Sequence, residues 1–111
     1  MRSIVFIGMQ KSGSSRDAIR AAENLGYFTI VFTERKKHLQ QRSEFPDVHE
    51  MICLDLNNYK ELKKRIERLK EQGFRIEAIV SFVDPHVHTA ALLCEEFCKR
   101  DLSSEAVTRM E

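Results

Sequence analysis

The first 26 residues contain the feature that most constrains the fold: an apolar run, a loop rich in glycine and serine, and an amphipathic helix. The apolar run covers residues 4–7, the loop covers residues 8–15, and Gly26 closes the helix. A strand that turns through glycines into a helix presents backbone N–H groups and a positive helix end to an anionic ligand. This pattern predicts an α/β protein with a ligand-binding loop after its first strand.

The first helix is predicted to run from about Arg16 to Leu25, with Ser14 as its N-cap and the acidic Asp17 three residues on. Ala18, Ala22 and Leu25 recur at helical spacing. We expect these three side chains to form the face that packs on the sheet.

Strands and helices alternate along the rest of the chain. Further strands are predicted at 28–32, 51–54 and 76–82, and a short helical turn within the polar segment 33–49 ends at Pro46. Asn58 and Glu61 form a capping pair for a helix that Gly73 closes, and its apolar stripe is Tyr59, Leu62, Ile66 and Leu69.

The last helix is predicted from about His86 to Lys99, with Asp84 as N-cap and Pro85 at its first position. Its expected buried stripe is Val87, Ala91, Cys94 and Cys98.

This order predicts a Rossmann-like parallel sheet of about four strands with helices on both faces. Ligands of such sheets bind beyond the carboxyl ends of the strands, near the switch in strand order. The loops expected to matter are therefore 8–15, 33–37, 55–58 and 82–88.

Composition sets modest bounds on function. A chain of 111 residues with 42% hydrophobic content suits one domain with one core, and a net charge of +1 gives no electrostatic reason to expect a nucleic-acid or membrane partner. Three cysteines at no framework spacing indicate reduced thiols, and no signal peptide is visible, so a cytoplasmic protein is expected.

The first loop matches neither common phosphate motif completely. Gly8 and Gly13 have Walker A spacing, but Ser14 stands where the lysine belongs, and Lys11 lies inside the loop. The dinucleotide-binding motif G-x-G-x-x-G is not matched, because Gln10 replaces its middle glycine. Glu34, an acid after the second strand, could still bind a ribose hydroxyl as in dinucleotide-binding proteins. A tight turn with no ligand remains the other interpretation.

Metal ligands and nucleophiles have weaker support. Asp84, His86 and His88 resemble the first metal motif of the amidohydrolase barrels, but such a barrel needs about 200 residues or more and only 23 follow here. We expect a capped helix with surface histidines and no metal, and no nucleophile motif is present. The basic run of Arg35, Lys36, Lys37, His38 and Arg42 is expected to be exposed, or else to contact an acidic substrate.

The order of elements as a whole resembles the N-terminal, biotin carboxylase N-terminal-like (pre-ATP-grasp) domain of the ATP-grasp ligases. The likeness covers nearly the whole chain, and the segments that carry it are 4–8 with its loop, 18–26, 28–32, 78–80 with the Asp84 loop, 90–97 and the ending 103–111. In the family this ending leads through an Asp-Lys pair into the ATP-binding domains, and the chain stops where that pair would follow. The usual Gly-Leu-Pro before the final serines is replaced by Arg100-Asp101-Leu102.

The resemblance implies that residues 1–102 form the pre-ATP-grasp domain and that 103–111 begin the link to the ATP-grasp domains. The parent enzyme would use ATP and Mg²⁺ to convert a carboxylate into an acyl phosphate that an amine attacks. Those cofactors would bind in the other lobes and none would bind here. The partners would be those lobes and a small-molecule substrate. The domain would not be catalytic alone, and its exposed apolar docking surface could produce homodimers.

The residues that the resemblance assigns to the substrate or phosphate loops are Gly8, Lys11, Ser12, Gly13, Ser14 and Asp84. The alternative from another class is a regulatory module that binds NAD or another nucleotide. A receiver domain fits less well, because Gly8 and Met9 stand where its acidic pair would follow the first strand.

Overall fold

Four parallel strands form one sheet in the computed structural model, which describes residues 2–9, 13–83 and 86–98. The strand order is β3-β2-β1-β4, and every neighbouring pair is parallel. The strands are β1 (Arg2–Ile7), β2 (Phe28–Thr33), β3 (Glu50–Cys53) and β4 (Arg75–Val80). The helices are α1 (Ser14–Asn24), α2 (Lys36–Gln40), α3 (Tyr59–Glu71) and α4 (Val87–Phe97), with a 3-10 turn at Arg42–Glu44. The predicted α/β class is confirmed.

The order of the strands places the topological switch between β1 and β4. The chain moves outward from β1 through β2 to β3, and then returns across the sheet to add β4 on the other side of β1. A crevice is expected where the connections of two adjacent strands leave in opposite directions. The loops after β1 and β4 therefore border the expected ligand site.

Side chains alternate between the two faces of the sheet, so the core has two layers. On one face, Val5, Ile7, Ile30 and Phe32 pack with apolar side chains of α3 and α4. On the other face, Phe6 and Val31 pack with Ile19 and Ala22 of α1 and with Phe45 and Val48 of the segment before β3. When a parallel sheet is covered on both faces, the sequences of its central strands are continuous apolar runs, as they are here.

Helix α1 begins earlier and faces differently than predicted. Its N-cap is Gly13, which makes no side-chain capping bond, so the prediction of Ser14 as N-cap was wrong. The buried residues are Ser15, Arg16, Ile19 and Ala22. Leu25 is 75% exposed, which contradicts its predicted place in the core. The helix is rotated because buried Arg16 lies on its inner face.

Helix α3 agrees with its prediction. The Asn58 side chain accepts a hydrogen bond from the Glu61 backbone N–H at 3.1 Å, and Leu62, Ile66 and Leu69 are buried. Gly73 after the helix has φ +100°, the left-handed conformation that ends helices and that glycine adopts without strain.

Helix α4 has a different buried stripe from the predicted one. Its buried residues are Ala90, Leu93 and Phe97, whereas Val87 and Ala91 are exposed. Cys98 is buried as predicted and Cys94 is partly buried. The observed stripe is shifted by one residue, a rotation of about 100°. Asp84 and Pro85, predicted to start this helix, lie outside the described residues.

The polar segment between β2 and β3 is more ordered than its composition indicates. Arg42 donates from Nη1 to the Phe45 carbonyl at 2.8 Å and from Nη2 to the Val48 carbonyl. Buried Arg16 of α1 reaches the same segment, with Nη2 2.8 Å from Asp47 Oδ1 and its guanidinium 4.6 Å from the Phe45 ring centroid. These contacts fasten the segment to α1.

Within the described residues no helix is both long and apolar enough to cross a membrane.

Candidate functional site

Residues from all four predicted loops lie near Gly8 or near the His86 ring that packs on it, at the carboxyl edge of the sheet. Gly8 has φ +80°, and a Cβ built on it would lie 3.3 Å from His86 Cδ2, 3.5 Å from Val83 Cβ and 3.8 Å from Leu56 Cδ1. The Glu34 carboxylate approaches the same ring, with Oε1 4.0 Å from His86 Nε2. The crevice defined by Gly8, Glu34, Leu56, Val83 and His86 is hereafter the carboxyl-edge crevice.

Hydrogen bonds hold the walls of the carboxyl-edge crevice together. The Gly8 N–H donates to the Phe32 carbonyl at 2.8 Å, which extends the β1–β2 pairing by one residue. Ser81 donates from Oγ to the Ile7 carbonyl at 2.6 Å and accepts from the Val83 N–H at 3.1 Å. Because these bonds join the ends of β1, β2 and β4, the loops are fixed by the sheet. A site built on such supports has a defined geometry.

Glu34 and His86 provide the polar groups of the crevice. The His86 ring is nearly buried, with the residue only 6% exposed, and its Nε2 lies 4.0 Å from Glu34 Oε1. The Glu34 side chain is 46% exposed. His86 is positioned by its N–H, which donates to the Val83 carbonyl at 2.9 Å, and by its carbonyl, which accepts from Ala90 at 3.0 Å. The prediction that His86 is a surface histidine was wrong, whereas His88 is exposed.

The candidate loop residues from the sequence lie in different places. Gly8 borders the crevice, Gly13 caps α1 with φ +92°, and Ser14 is an exposed first residue of that helix. Lys11, Ser12 and Asp84 lie outside the described residues. Their assignment to a phosphate or substrate loop therefore stays a prediction.

The basic run after β2 divides into two groups. Arg35, Lys36 and Lys37 are exposed, as predicted. His38 is buried, with Nδ1 2.8 Å from Thr33 Oγ1 and its ring packed edge-on against Phe45. His38 and Arg42 hold the segment in place, so the prediction of exposure was wrong for both of them.

A groove of about 480 Å³ lies elsewhere, between β3 and α3. Its walls are Ile52, Cys53 and Leu54 on one side and charged α3 side chains of both signs on the other. It shares no residue with the carboxyl-edge crevice. No group of three or more His, Cys, Asp or Glu side chains is arranged to hold a metal ion within ranges 2–9, 13–83 and 86–98.

Replacing Gly8 by alanine is expected to destabilise the domain and to displace His86. The positive φ costs a non-glycine residue about 1–2 kcal/mol, and the new methyl group would also push on the His86 ring. Gly26→Ala is the matched control, because Gly26 has φ +90° and nothing within 4 Å of a Cβ. Thermal unfolding should show Gly8→Ala losing about 1 kcal/mol more than the control. Equal losses would contradict the packing of His86 on Gly8.

The sequence identified the loops of the crevice but not the pairing of Glu34 with His86. Both residues follow strands that the apolar pattern located, and that pattern was the available signal. A single sequence does not specify that the loop after β4 turns inward to bury an imidazole.

One protein-family model matches this chain, and its description is "ATP-grasp N-terminal domain". The match covers residues 19–97 and so includes Glu34, Ser81 and His86 of the region just described, while Gly8 and its loop precede it. No curated protein sequence matched.

Proposed function

Because the chain belongs to the ATP-grasp N-terminal domain family, we propose that it is the substrate-side domain of an ATP-dependent carboxylate–amine ligase. In this proposal the carboxyl-edge crevice faces the reaction cleft and contributes to binding the acceptor substrate. ATP and Mg²⁺ bind in other domains of the same polypeptide, where the carboxylate is activated by phosphorylation. The described part of this chain supplies binding and orientation and no catalytic group.

The convergence of four loops around Gly8 and His86 supports this proposal. A glycine at the end of β1 admits the His86 ring, and the Ser81 hydroxyl ties the end of β1 to the loop after β4. This is the edge of a parallel sheet at which ligands bind. Phe82, in the same loop, is 51% exposed, an apolar surface suited to contact with a neighbouring domain or a substrate.

The polar groups of the described residues also fit a role in substrate binding. The crevice combines one carboxylate, one imidazole and apolar walls, and no arginine or lysine is among its five residues. Polar groups of this kind recognise a neutral or cationic group by hydrogen bonding.

ADP release by the polypeptide that carries this domain tests the proposal. We expect ADP formation to require both a carboxylate and an amine, when panels of small carboxylates and amines are supplied with ATP and Mg²⁺. Gly8→Ala should raise the KM of the amine with little effect on the KM of ATP, and Gly26→Ala should change neither. ADP formation that is indifferent to both panels, or absent, would reject the proposed reaction.

A further inference from the structure

The imidazole of His49 takes part in the pairing that joins β3 to β2. The backbone N–H of Thr29, in β2, donates to His49 Nδ1 at 3.0 Å. In return, the backbone N–H of His49 donates to the Thr29 carbonyl at 3.0 Å. The ring nitrogen therefore acts as a backbone carbonyl would act in a strand ladder, at the point where the pairing of β3 with β2 begins.

The hydrogen bonds around Thr29 determine which form of the His49 ring is present. The Thr29 hydroxyl donates to the Asp47 carbonyl at 2.6 Å and accepts from the His49 N–H at 3.0 Å. Its hydrogen is therefore committed to Asp47, although Oγ1 also lies 3.4 Å from Nδ1. A backbone N–H only donates, so Nδ1 must be an acceptor without a proton. The ring is thus the neutral tautomer with its proton on Nε2.

Protonation of His49 removes this acceptor. An imidazolium ring carries a hydrogen on both nitrogens and accepts no hydrogen bond. Two donors would then face each other between Nδ1 and the Thr29 N–H, and the ring would have to turn away. Thr29 is completely buried, so its N–H would be left without a partner, which is costly. His49 itself is exposed, so protons reach the ring directly from solvent.

We propose that His49 is a pH-sensitive latch, which holds the start of the edge strand β3 to β2 when neutral and releases it when protonated. Strand β3 has only four residues and pairs with β2 alone among the strands of the structure, so few other bonds hold it. The paired edge requires the neutral ring. Its pairing is therefore complete at high pH and weakens as the pH falls through the range in which imidazoles titrate, about pH 8 to 5.

The described surroundings of His49 contain no partner that would compensate for the charge of an imidazolium. The ring stacks on Phe28 at 4.9 Å between centroids, and Phe28 in turn packs on Phe74. Strand β2 carries no charged residue, and His49 forms no ion pair with a described residue. The charged residues of the segments packed around the ring are Asp47, Glu50, Glu71 and Arg75. The Asp47 carboxylate is buried against an arginine, and the other three side chains are exposed.

NMR spectroscopy of the ¹⁵N-labelled 111-residue chain at about pH 8 and about pH 5 tests the latch directly. At the higher pH we expect a scalar coupling across the hydrogen bond between the Thr29 backbone nitrogen and His49 Nδ1. At the lower pH the coupling should be lost, and the protection factor of the Thr29 amide against hydrogen exchange should fall roughly tenfold. A coupling that is absent at the higher pH, or that persists at the lower pH, rejects the latch.

His49→Asn and His49→Gln separate the latch from the effect of acid on the other three histidines. Asparagine places an amide oxygen, which does not titrate, close to the position of Nδ1, whereas glutamine places its oxygen nearer the position of Nε2. We expect Thr29 protection to be independent of pH in both variants, high in His49→Asn and low in His49→Gln. His88→Asn is the matched control, because His88 is exposed, and it should keep the pH dependence of the unmodified chain. PH dependence that survives in His49→Asn, or that disappears in His88→Asn, would overturn the proposal.

Discussion

Arg16→Ala and Asp47→Ala are each expected to lower the free energy of unfolding by about 3–5 kcal/mol. Both side chains are buried, with Arg16 Nη2 2.8 Å from Asp47 Oδ1, so removing one leaves the other charge without its partner. Among the described residues, Arg16 Nη1 and both Asp47 carboxylate oxygens have no aligned hydrogen bond. The pair is thus a charge contact. Arg16 Nη2 also donates to the Glu44 carbonyl at 3.0 Å, but the Asp47 carboxylate accepts no aligned hydrogen bond from a described residue. Denaturant unfolding measures the effect.

An exposed ion pair provides the control for this prediction. Arg2 Nε lies 3.0 Å from Glu77 Oε2, but the Arg2 side chain is 63% exposed. Arg2→Ala should therefore have a much smaller effect than Arg16→Ala. The double variant Arg16→Met with Asp47→Leu should recover most of the loss, because apolar residues remove the cost of desolvating two charges. Comparable effects of Arg16→Ala and Arg2→Ala would show that the buried pair is not formed.

Leu93→Ala is expected to cost about 2–5 kcal/mol, because it leaves a cavity in the layer between α4 and the sheet. Leu93 is fully buried in the cluster that contains Val5, Ile7 and Ile79. The adjacent Leu92 is 42% exposed, so Leu92→Ala should cost less than about 1 kcal/mol. Both variants remove the same atoms from the same helix, and their difference reports which face of α4 is inside. Equal losses, measured by thermal unfolding, would contradict the observed helix rotation.

Much of the fold could be predicted from the sequence because local patterns specified it. Apolar runs located the four strands, and Asn58, Glu61 and Gly73 fixed the ends of α3 through their capping chemistry. The parallel order followed from the alternation of strands and helices. Each of these signals comes from residues that are close together in the sequence, so a single sequence is enough to detect it.

The faces of α1 and α4 could not be predicted because they depend on distant contacts. In α4, apolar residues occupy most positions, so several stripes fit equally well, and packing against the sheet selected Leu93 and Phe97. In α1, Arg16 was not among the residues predicted to face the sheet. Its burial requires Asp47 and Phe45, which lie about thirty residues later in a segment whose composition indicates an open loop.

The candidate site, like the fold, was predictable where local sequence patterns specify it and not where it depends on distant contacts. The strand ends predicted which loops would meet, and Gly8, Glu34, Leu56 and Val83 each come from one of them. The inward orientation of His86 was not predictable, because it depends on the absence of a side chain at Gly8 across the sheet edge.

Calorimetric titration of the 111-residue chain with NAD⁺, NADH, AMP and ATP tests the central claim, that this domain binds the acceptor substrate rather than a nucleotide. The account predicts no saturable heat for any of the four at concentrations up to about 1 mM, where the binding free energy would be about 4 kcal/mol. Saturable binding of NAD(H) or AMP with a Kd below about 0.1 mM, lost in Glu34→Gln, would contradict it. That result would identify the domain as a nucleotide-binding regulatory module.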